Sequence, residues 1–455
     1  MIKLKENIIY IFIFPFLINF LYNLPSNDHI FYQSLLISFY CSIILYLIGR
    51  ELDIVFQLNS VALSISFYLI GIFVINFLIL PFDELALNFK EIFIAYNILI
   101  IFIIFLKNKK PKYLVFAVFL LITFRYFSGT FDIDTKNYIQ YSSDVVEFWL
   151  PMSEMIYSND LHFSIKNNLM PGYSLLINYI YAELFFLFVG ETTLSFTLLI
   201  PNIFLFLNLL MFYEVKSSNK VKIYISTLYI AIILNSVWLS YLFFNSFMGE
   251  IIVNFLFSSF LINAFTNSKI SRSKLYFLFL GFLYFLKPFS SVLFIVIAVI
   301  SFLKHKEYYQ LYLPVIGFFV NSFYNNSIFT NLDTQNVYFK IFSDNSENLF
   351  DFYIQNIYLI FRQEIFIDKV ITLFLLLYLF VKLKSFKEKR NFNILNLILF
   401  LNLFLVLYLY STIWKDIELG SAYRYIFSFI NIYFLDLQIS IDKTLKDDSN
   451  HYKSD

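Results

Sequence analysis

Residues 91–112 read EIFIAYNILIIFIIFLKNKKPK, an apolar run at 91–106 followed at once by the basic cluster KNKKPK at 107–112. The run is close to the roughly 17–25 apolar residues that an α-helix needs to cross a lipid bilayer. Lysine-rich segments beside such runs are typical of the cytoplasmic side of a membrane. The stretch therefore predicts a membrane-spanning helix whose carboxyl end faces the cytoplasm.

Similar apolar runs recur along the whole chain. They lie near 7–24, 30–49, 59–81, 113–127, 193–213, 222–244, 250–266, 308–323, 366–383, 392–410 and 424–439, with a longer run at 275–303 that Lys287 and Pro288 interrupt. Hydrophobic residues make up 60% of the chain and charged residues 14%, against roughly 45–50% and about 25% in soluble domains. We therefore predict an all-α, polytopic transmembrane helical bundle of about 12–14 spans.

The composition also excludes several classes of protein. Cys41 is the only cysteine, so no intrachain disulfide and no thiolate metal cluster can form. The four histidines show no metal-ligand spacing, and a net charge of +1 does not favour nucleic acid as a partner. A soluble enzyme and a secreted disulfide-rich scaffold do not fit this chain.

Basic residues set the predicted orientation. When the Lys- and Arg-rich segments are placed in the cytoplasm, both termini lie inside, and 128–172, 324–352 and 411–423 lie outside. The apolar segment 173–190 breaks the alternation, and it carries Glu183 near its middle. Because a carboxylate in hydrocarbon is costly, this segment either crosses the membrane or is re-entrant.

The pattern of loops suggests three parts. Residues 1–110 carry few charges within their apolar runs and form a predicted N-terminal transmembrane module. Residues 111–440 form the predicted catalytic core, with its long external loop at 128–172. Residues 441–455 form a cytoplasmic tail. The minimal loops and the Phe-, Ile-, Asn- and Lys-rich composition suggest a bacterial inner membrane.

Acidic residues concentrate in the predicted external segments. The long loop contains DVVEFWLP (144–151), in which Asp144 and Glu147 share one face if the segment is helical. A later external tip, NSFMGE (245–250), places Glu250 at the start of an apolar run. Such carboxylates can act as a general base or hold a cation. A solvated acidic loop, or a helix N-terminal charge at Glu250, is the structural alternative.

Two basic positions lie at the same predicted face. Lys287 lies inside an apolar stretch, beside the helix-breaking Pro288. Arg424 and Tyr425 begin the last apolar run. Both cations could bind a lipid phosphate. The alternatives are a lysine that extends to the interface and an interfacial Arg/Tyr anchor.

The order of these features resembles the GT-C superfamily of membrane glycosyltransferases, including its protein O-mannosyltransferase-like and aminoarabinose-transferase-like branches. The matching positions are Asp144, Phe148, Trp149, Leu150 and Pro151, then Pro171-Gly172-Tyr173, Gly249-Glu250, Lys287 and Arg424-Tyr425. Trp149 stands where a histidine is common in the superfamily. The resemblance covers roughly residues 113–440.

This resemblance implies transfer of a sugar from a polyprenyl-phosphate donor to an acceptor at the external face. It implies that Asp144 is the general base of an inverting displacement, with Asp134 and Asp132 as alternative bases. Lys287, Arg424 and Tyr425 would bind the donor phosphate, and Glu147 and Glu250 would orient the acceptor or a divalent cation. The expected partners are membrane lipid and the lipid-linked sugar. The acceptor (lipid, glycan or protein) and the need for a metal stay open.

Three other classes compete with this hypothesis. A polysaccharide polymerase or glycan ligase of another membrane fold usually has arginine-rich external loops, whereas these loops are rich in acids. A transporter places ionisable groups near the bilayer midplane and often shows inverted repeats, which this sequence does not show. A structural membrane protein without a catalytic site is the third.

Overall fold

The computed structural model describes ten segments and four single positions of the chain. They are residues 29–79, 88–128, 149–158, 175–190, 199–236, 249–266, 273–283, 291–316, 368–387 and 430–451, with positions 196, 239, 286 and 319. All regular secondary structure in these residues is helical, and they contain no β-strand. The all-α part of the prediction is confirmed for these residues, and the polytopic bundle of about 12–14 spans stays a prediction.

Thirteen α-helices have defined bounds within these segments. They are α1 His29–Phe56, α2 Val61–Ile79, α3 Phe89–Lys107, α4 Lys112–Ser128, α5 Leu150–Ser158, α6 Leu175–Leu184, α7 Leu199–Glu214, α8 Asn219–Asn235, α9 Glu250–Thr266, α10 Lys274–Phe282, α11 Ser291–His305, α12 Lys369–Lys387 and α13 Ile430–His451. A π-helical turn, Phe185–Val189, extends α6. Residues 309–316 are also helical.

Most described helices overlap the predicted apolar runs, although α13 continues to His451, beyond the run predicted at 424–439. The runs predicted at 7–24 and 392–410 lie outside the described residues. Helix α9 covers the run predicted at 250–266 from end to end. The run predicted at 275–303 is divided into α10 and α11, on either side of Lys287 and Pro288. Helix α5 lies within the segment predicted as an external loop. The long loop therefore contains a helix of its own.

Two described helices are long and apolar enough to cross a membrane. These are Ser34–Phe56, within α1, and Phe89–Lys107. Shorter apolar helices lie at Val61–Asn76, Leu175–Val189, Leu199–Glu214, Glu250–Ala264 and Phe294–His305. The residues before Leu175 lie outside the described part of the chain, so both alternatives for the segment that carries Glu183 stay predictions.

Contacts between Cα atoms divide the chain into two compact units. Unit 1 comprises Met1–Asn167, Ile177–Leu207 and Phe244–Met248. Unit 2 comprises Asn168–Leu176, Asn208–Phe243 and Gly249–Asp455. Unit 1 includes the predicted module 1–110 together with α4. The three-part division made from the sequence stays a prediction.

Unit 1 is built around α1, which packs against both α2 and α4. The Tyr40 hydroxyl on α1 donates a hydrogen bond to the Leu120 carbonyl on α4 at 3.1 Å. Buried Glu51, near the carboxyl end of α1, accepts hydrogen bonds from the backbone N–H groups of Tyr113 and Leu114 at 3.1 and 3.4 Å. The carboxylate thus caps the first turn of α4, where backbone N–H groups have no partner within the helix.

Unit 2 is built around α13, which packs against α9, α8 and α12. Phe434 of α13 contacts Tyr229 of α8 with ring centroids 5.0 Å apart and stacks on Phe374 of α12 at 4.5 Å. Phe434 is fully buried. These aromatic contacts hold three helices around one apolar centre.

Candidate functional site

Of the residues predicted from the sequence to form the site, Glu250 lies within the described part of the chain. Asp132, Asp134, Asp144, Glu147, Lys287, Arg424 and Tyr425 lie outside the described residues. Glu250 is the first residue of α9, directly after Gly249, and it is 4% exposed. Its position at a helix N-terminus suits a negative charge. Its burial shows that it does not belong to a solvated acidic loop.

Helix α9 carries a buried polar stripe that begins at Glu250. Asn254 and Ser258 follow at intervals of four residues, so the three side chains share one face of the helix. Asn254 is 1% exposed and Ser258 is fully buried. Flanking residues such as Val253 and Phe257 are buried and apolar. A helix that is buried all round does not need polar residues for solubility, so this stripe requires a different explanation.

A ladder of buried amides connects the polar stripe to residues of unit 2 on three other helices, α13, α7 and α8. The Asn431 backbone N–H, in the first turn of α13, donates to Asn254 Oδ1 at 3.2 Å. Asn431 Nδ2 donates to Asn208 Oδ1 of α7 at 2.6 Å. Asn208 Nδ2 lies 3.4 Å from the Tyr229 hydroxyl of α8. The ladder therefore joins α9 to the helix that follows Arg424 and Tyr425 in the chain.

Three polar atoms beside the ladder have unused hydrogen-bonding capacity. Asn254 Nδ2, Asn431 Oδ1 and Ser258 Oγ are buried and make no hydrogen bond within the described part of the chain. Buried polar atoms in folded proteins are nearly always hydrogen-bonded, and exceptions often mark a site for water, an ion or a ligand. An amide N–H₂ donor, an amide oxygen acceptor and a hydroxyl, next to Glu250, form a set that suits a polyhydroxylated ligand.

Several basic segments meet at the opposite end of unit 2. The Ser218 N–H donates to Asp442 Oδ1 at 2.8 Å, and Gln438 Nε2 donates to Ser217 Oγ at 2.7 Å. Lys382 forms an ion pair with buried Asp436 and donates to Ser440 Oγ at 2.9 Å. Ser217, Ser218 and Lys382 therefore contact the carboxyl half of α13. All of these segments were predicted from their lysines to face the cytoplasm.

The segment that follows Asp144 and Glu147 is anchored in unit 1. Trp149, which immediately precedes α5, is 5% exposed. The Ser153 hydroxyl lies 2.6 Å from the Trp149 carbonyl oxygen and 3.4 Å from Asn178 Oδ1 of α6. Trp149 is therefore an interior packing residue.

Sequence analysis missed the polar stripe and the amide ladder. Asn208, Asn254 and Asn431 interrupt apolar runs, and that pattern was the available signal. The general enrichment of asparagine in this chain obscures it. No group of three or more His, Cys, Asp or Glu side chains that could hold a metal ion occurs in the described residues.

Comparisons with known proteins give no match to this chain, whether with protein-family models, with curated proteins or with solved structures.

Proposed function

We propose that this protein is an integral-membrane glycosyltransferase that moves a sugar from a polyprenyl-phosphate donor to an acceptor at the external face of a bacterial inner membrane. The displacement inverts the anomeric carbon. Asp144 is the general base in this proposal, and Asp134 or Asp132 replaces it if Asp144 is not essential. Lys287, Arg424 and Tyr425 bind the donor phosphate, which lowers the free energy of the developing negative charge.

The exposed faces of several helices support the membrane setting. On α3, Ile98, Phe102 and Leu106 are 61%, 59% and 68% exposed. On α12, Leu373 and Phe380 are 69% and 68% exposed. Contiguous apolar surface of this kind is unfavourable in water and favourable against lipid tails. The meeting of the lysine-rich segments at one end of unit 2 agrees with a cytoplasmic location for that end.

The buried polar stripe Glu250–Asn254–Ser258 is the observation that carries the proposal. Sugar hydroxyl groups both donate and accept hydrogen bonds, so they require a site that offers donors and acceptors together. The Asn254 amide nitrogen offers a donor and the Asn431 amide oxygen offers an acceptor. Glu250 lies one turn before Asn254 on the same face of α9. In the proposed site Glu250 and Glu147 orient the acceptor or a divalent cation, and the amides hold sugar hydroxyls.

The test uses purified full-length protein in lipid vesicles with radiolabelled polyprenyl-phosphate sugars. Donor turnover, including slow hydrolysis, is measured for the native chain and for Asp144→Asn, Glu250→Gln, Asn254→Ala and Arg424→Ala. We expect Asp144→Asn, which removes the base, to lower turnover at least about 100-fold. Each of the other three changes removes one ligand-binding group and should lower turnover roughly 10-fold. Glu91→Gln is the matched control, because Glu91 is an exposed acid of unit 1.

Thermal unfolding of every variant separates loss of activity from loss of fold. Turnover that persists in Asp144→Asn and falls in Asp134→Asn or Asp132→Asn moves the base but keeps the class. Turnover that is unchanged in both Glu250→Gln and Asn254→Ala removes the polar stripe from the site. A native chain that neither turns over nor binds any polyprenyl-phosphate sugar refutes the proposed function.

A further inference from the structure

Glu183 is a buried acid for which the proposed transfer reaction has no use. It lies on α6, in unit 1, and its side chain is 1% exposed. Neither carboxylate oxygen accepts a hydrogen bond from the residues that the structure describes. An ionised carboxylate that is buried without a donor or a counter-charge is strongly unfavourable, and such a group normally becomes neutral instead. The surroundings of Glu183 therefore decide its protonation.

Tyrosines on two helices surround the carboxyl group but do not donate hydrogen bonds to it. The phenols of Tyr68 on α2 and Tyr96 on α3 lie within electrostatic range of Glu183. The Tyr68 hydroxyl donates to Asn97 Oδ1 at 2.9 Å, and the Tyr96 hydroxyl donates to the Tyr68 carbonyl at 3.0 Å. Because each phenol has a single hydrogen, both donors are already used.

Two cations among the described residues of unit 1 make other contacts. Arg125 of α4 donates through Nε to the Leu187 carbonyl at 3.0 Å, and also to the Phe186 carbonyl. Lys90 of α3 lies 4.3 Å from the centroid of the Tyr157 ring of α5. Neither cation forms an ion pair with Glu183. Tyr179, one turn before Glu183 on α6, is a further titratable side chain on the same face of the helix.

Glu51 provides an internal comparison in the same unit. It is as deeply buried as Glu183, at 0% exposure. Its carboxylate accepts hydrogen bonds from Asn108 and from the backbone N–H groups of Tyr113 and Leu114. The two glutamates are thus similarly buried, but only Glu51 has hydrogen-bond donors at its carboxylate among the described residues.

The backbone next to Glu183 is irregular. The π-helical turn Phe185–Val189 begins two residues later, and it ends at Gly190, whose φ of 87° lies in the left-handed region. Turns of this type within α-helices are frequent at functional sites. The turn also exposes the Phe186 and Leu187 carbonyls that Arg125 contacts. Glu183 and this irregular turn therefore form one local feature.

We propose that Glu183 is a proton-binding site in the helical core of unit 1, neutral and protonated at neutral pH. It releases the proton when a positive charge or a hydrogen-bond donor reaches its carboxyl group. The site is independent of the proposed sugar transfer. A monovalent metal ion is the competing occupant, because such an ion would also compensate the charge of the carboxylate.

The test is labelling of the full-length protein in lipid vesicles with dicyclohexylcarbodiimide. A protonated carboxyl group transfers its proton to a carbodiimide nitrogen, its oxygen bonds to the central carbon, and an O-to-N acyl shift gives a stable N-acylurea. Peptide mass spectrometry then locates the adduct. At pH 7 an ordinary glutamate with a pKa of about 4.3 is protonated only about once in 500 molecules. We expect Glu183 to be labelled at least about 100-fold faster than exposed Glu91 or buried Glu51.

A second measurement does not depend on access of the reagent. Infrared spectra at pH 7 should show a protonated carboxyl C=O band that Glu183→Gln removes and that Glu51→Gln leaves in place. Absence of that band difference refutes the proposal, as does a labelling rate for Glu183 equal to that of Glu91. Labelling that sodium ions suppress at constant pH assigns the site to a metal ion and also overturns the proposal. Turnover of a sugar donor is not a readout in these experiments.

Discussion

Replacement of Glu51 should destabilise unit 1 more than replacement of any exposed acid. In Glu51→Ala, the N–H groups of Tyr113 and Leu114 lose their acceptor in a buried setting. Each unsatisfied donor costs about 1–2 kcal/mol. The lost charge at the α4 N-terminus adds about 0.5–1 kcal/mol. Relief from burying a charge offsets part of this cost, so we expect a net loss of about 3 kcal/mol.

The assay is the thermal midpoint of the purified protein in detergent, followed by circular dichroism. At roughly 2–4 °C per kcal/mol for a cooperative unit of this size, Glu51→Ala should lower the midpoint by about 6–12 °C. Glu51→Gln keeps one acceptor oxygen but loses the charge, and it should lower the midpoint by about half as much. The control is Glu91→Ala, because Glu91 forms an exposed capping box with Asn88 at the N-terminus of α3.

The Glu91→Ala change should cost about 0.5 kcal/mol. A midpoint for Glu51→Ala that equals or exceeds that of Glu91→Ala would refute the capping role of Glu51. That result would also remove the contrast in hydrogen bonding between Glu51 and Glu183.

Three further changes test other contacts. Lys382→Met removes the positive charge paired with buried Asp436 and should cost about 3 kcal/mol in thermal or denaturant unfolding. Arg50→Ala should cost less than about 1 kcal/mol, because the Arg50 side chain in its pair with Asp53 is 42% exposed. Gly281→Ala should cost about 1–3 kcal/mol, because the new Cβ would lie 2.7 Å from the Pro314 carbonyl oxygen and 3.0 Å from that of Leu313, which are backbone atoms. Asn431→Leu removes the donor to Asn208 Oδ1 and should destabilise unit 2 by about 1–3 kcal/mol. The control is Asn235→Leu at an exposed position, which should change the thermal midpoint little.

The positions of the helices could be predicted because they depend on local composition. The apolar run at 250–266 begins at a glycine–acid pair and ends in polar residues, and α9 has the same bounds. The Lys287-Pro288 pair predicted a break between α10 and α11 because proline cannot continue a helix. These signals lie within a few residues of the features that they determine.

The polar contacts could not be predicted because they join distant parts of the sequence. Asn431 meets Asn208 and Asn254 across separations of 223 and 177 residues. No periodicity in a single helix indicates which asparagine on another helix it will face. Glu51 has the same difficulty, because its hydrogen-bond partners lie 57–63 residues further along the chain. The sequence showed the acid but not the helix end that it caps.

Substitutions of Glu183 and Glu250 distinguish the transferase hypothesis from the transporter alternative. An ionisable group buried among apolar helices is a common element of proton-coupled transport, whereas a transferase needs an acid at the reacting sugar. Glu183→Gln mimics the neutral acid. If the protein is a glycosyltransferase, this variant should keep donor turnover within about twofold of the native rate. Glu250→Gln should then lower donor turnover roughly 10-fold. If the protein is a transporter, Glu183→Gln should abolish pH-driven uptake into vesicles, with no donor turnover in either variant. Loss of sugar turnover in Glu183→Gln with an unchanged thermal midpoint would contradict the assignment of the two acids to separate roles.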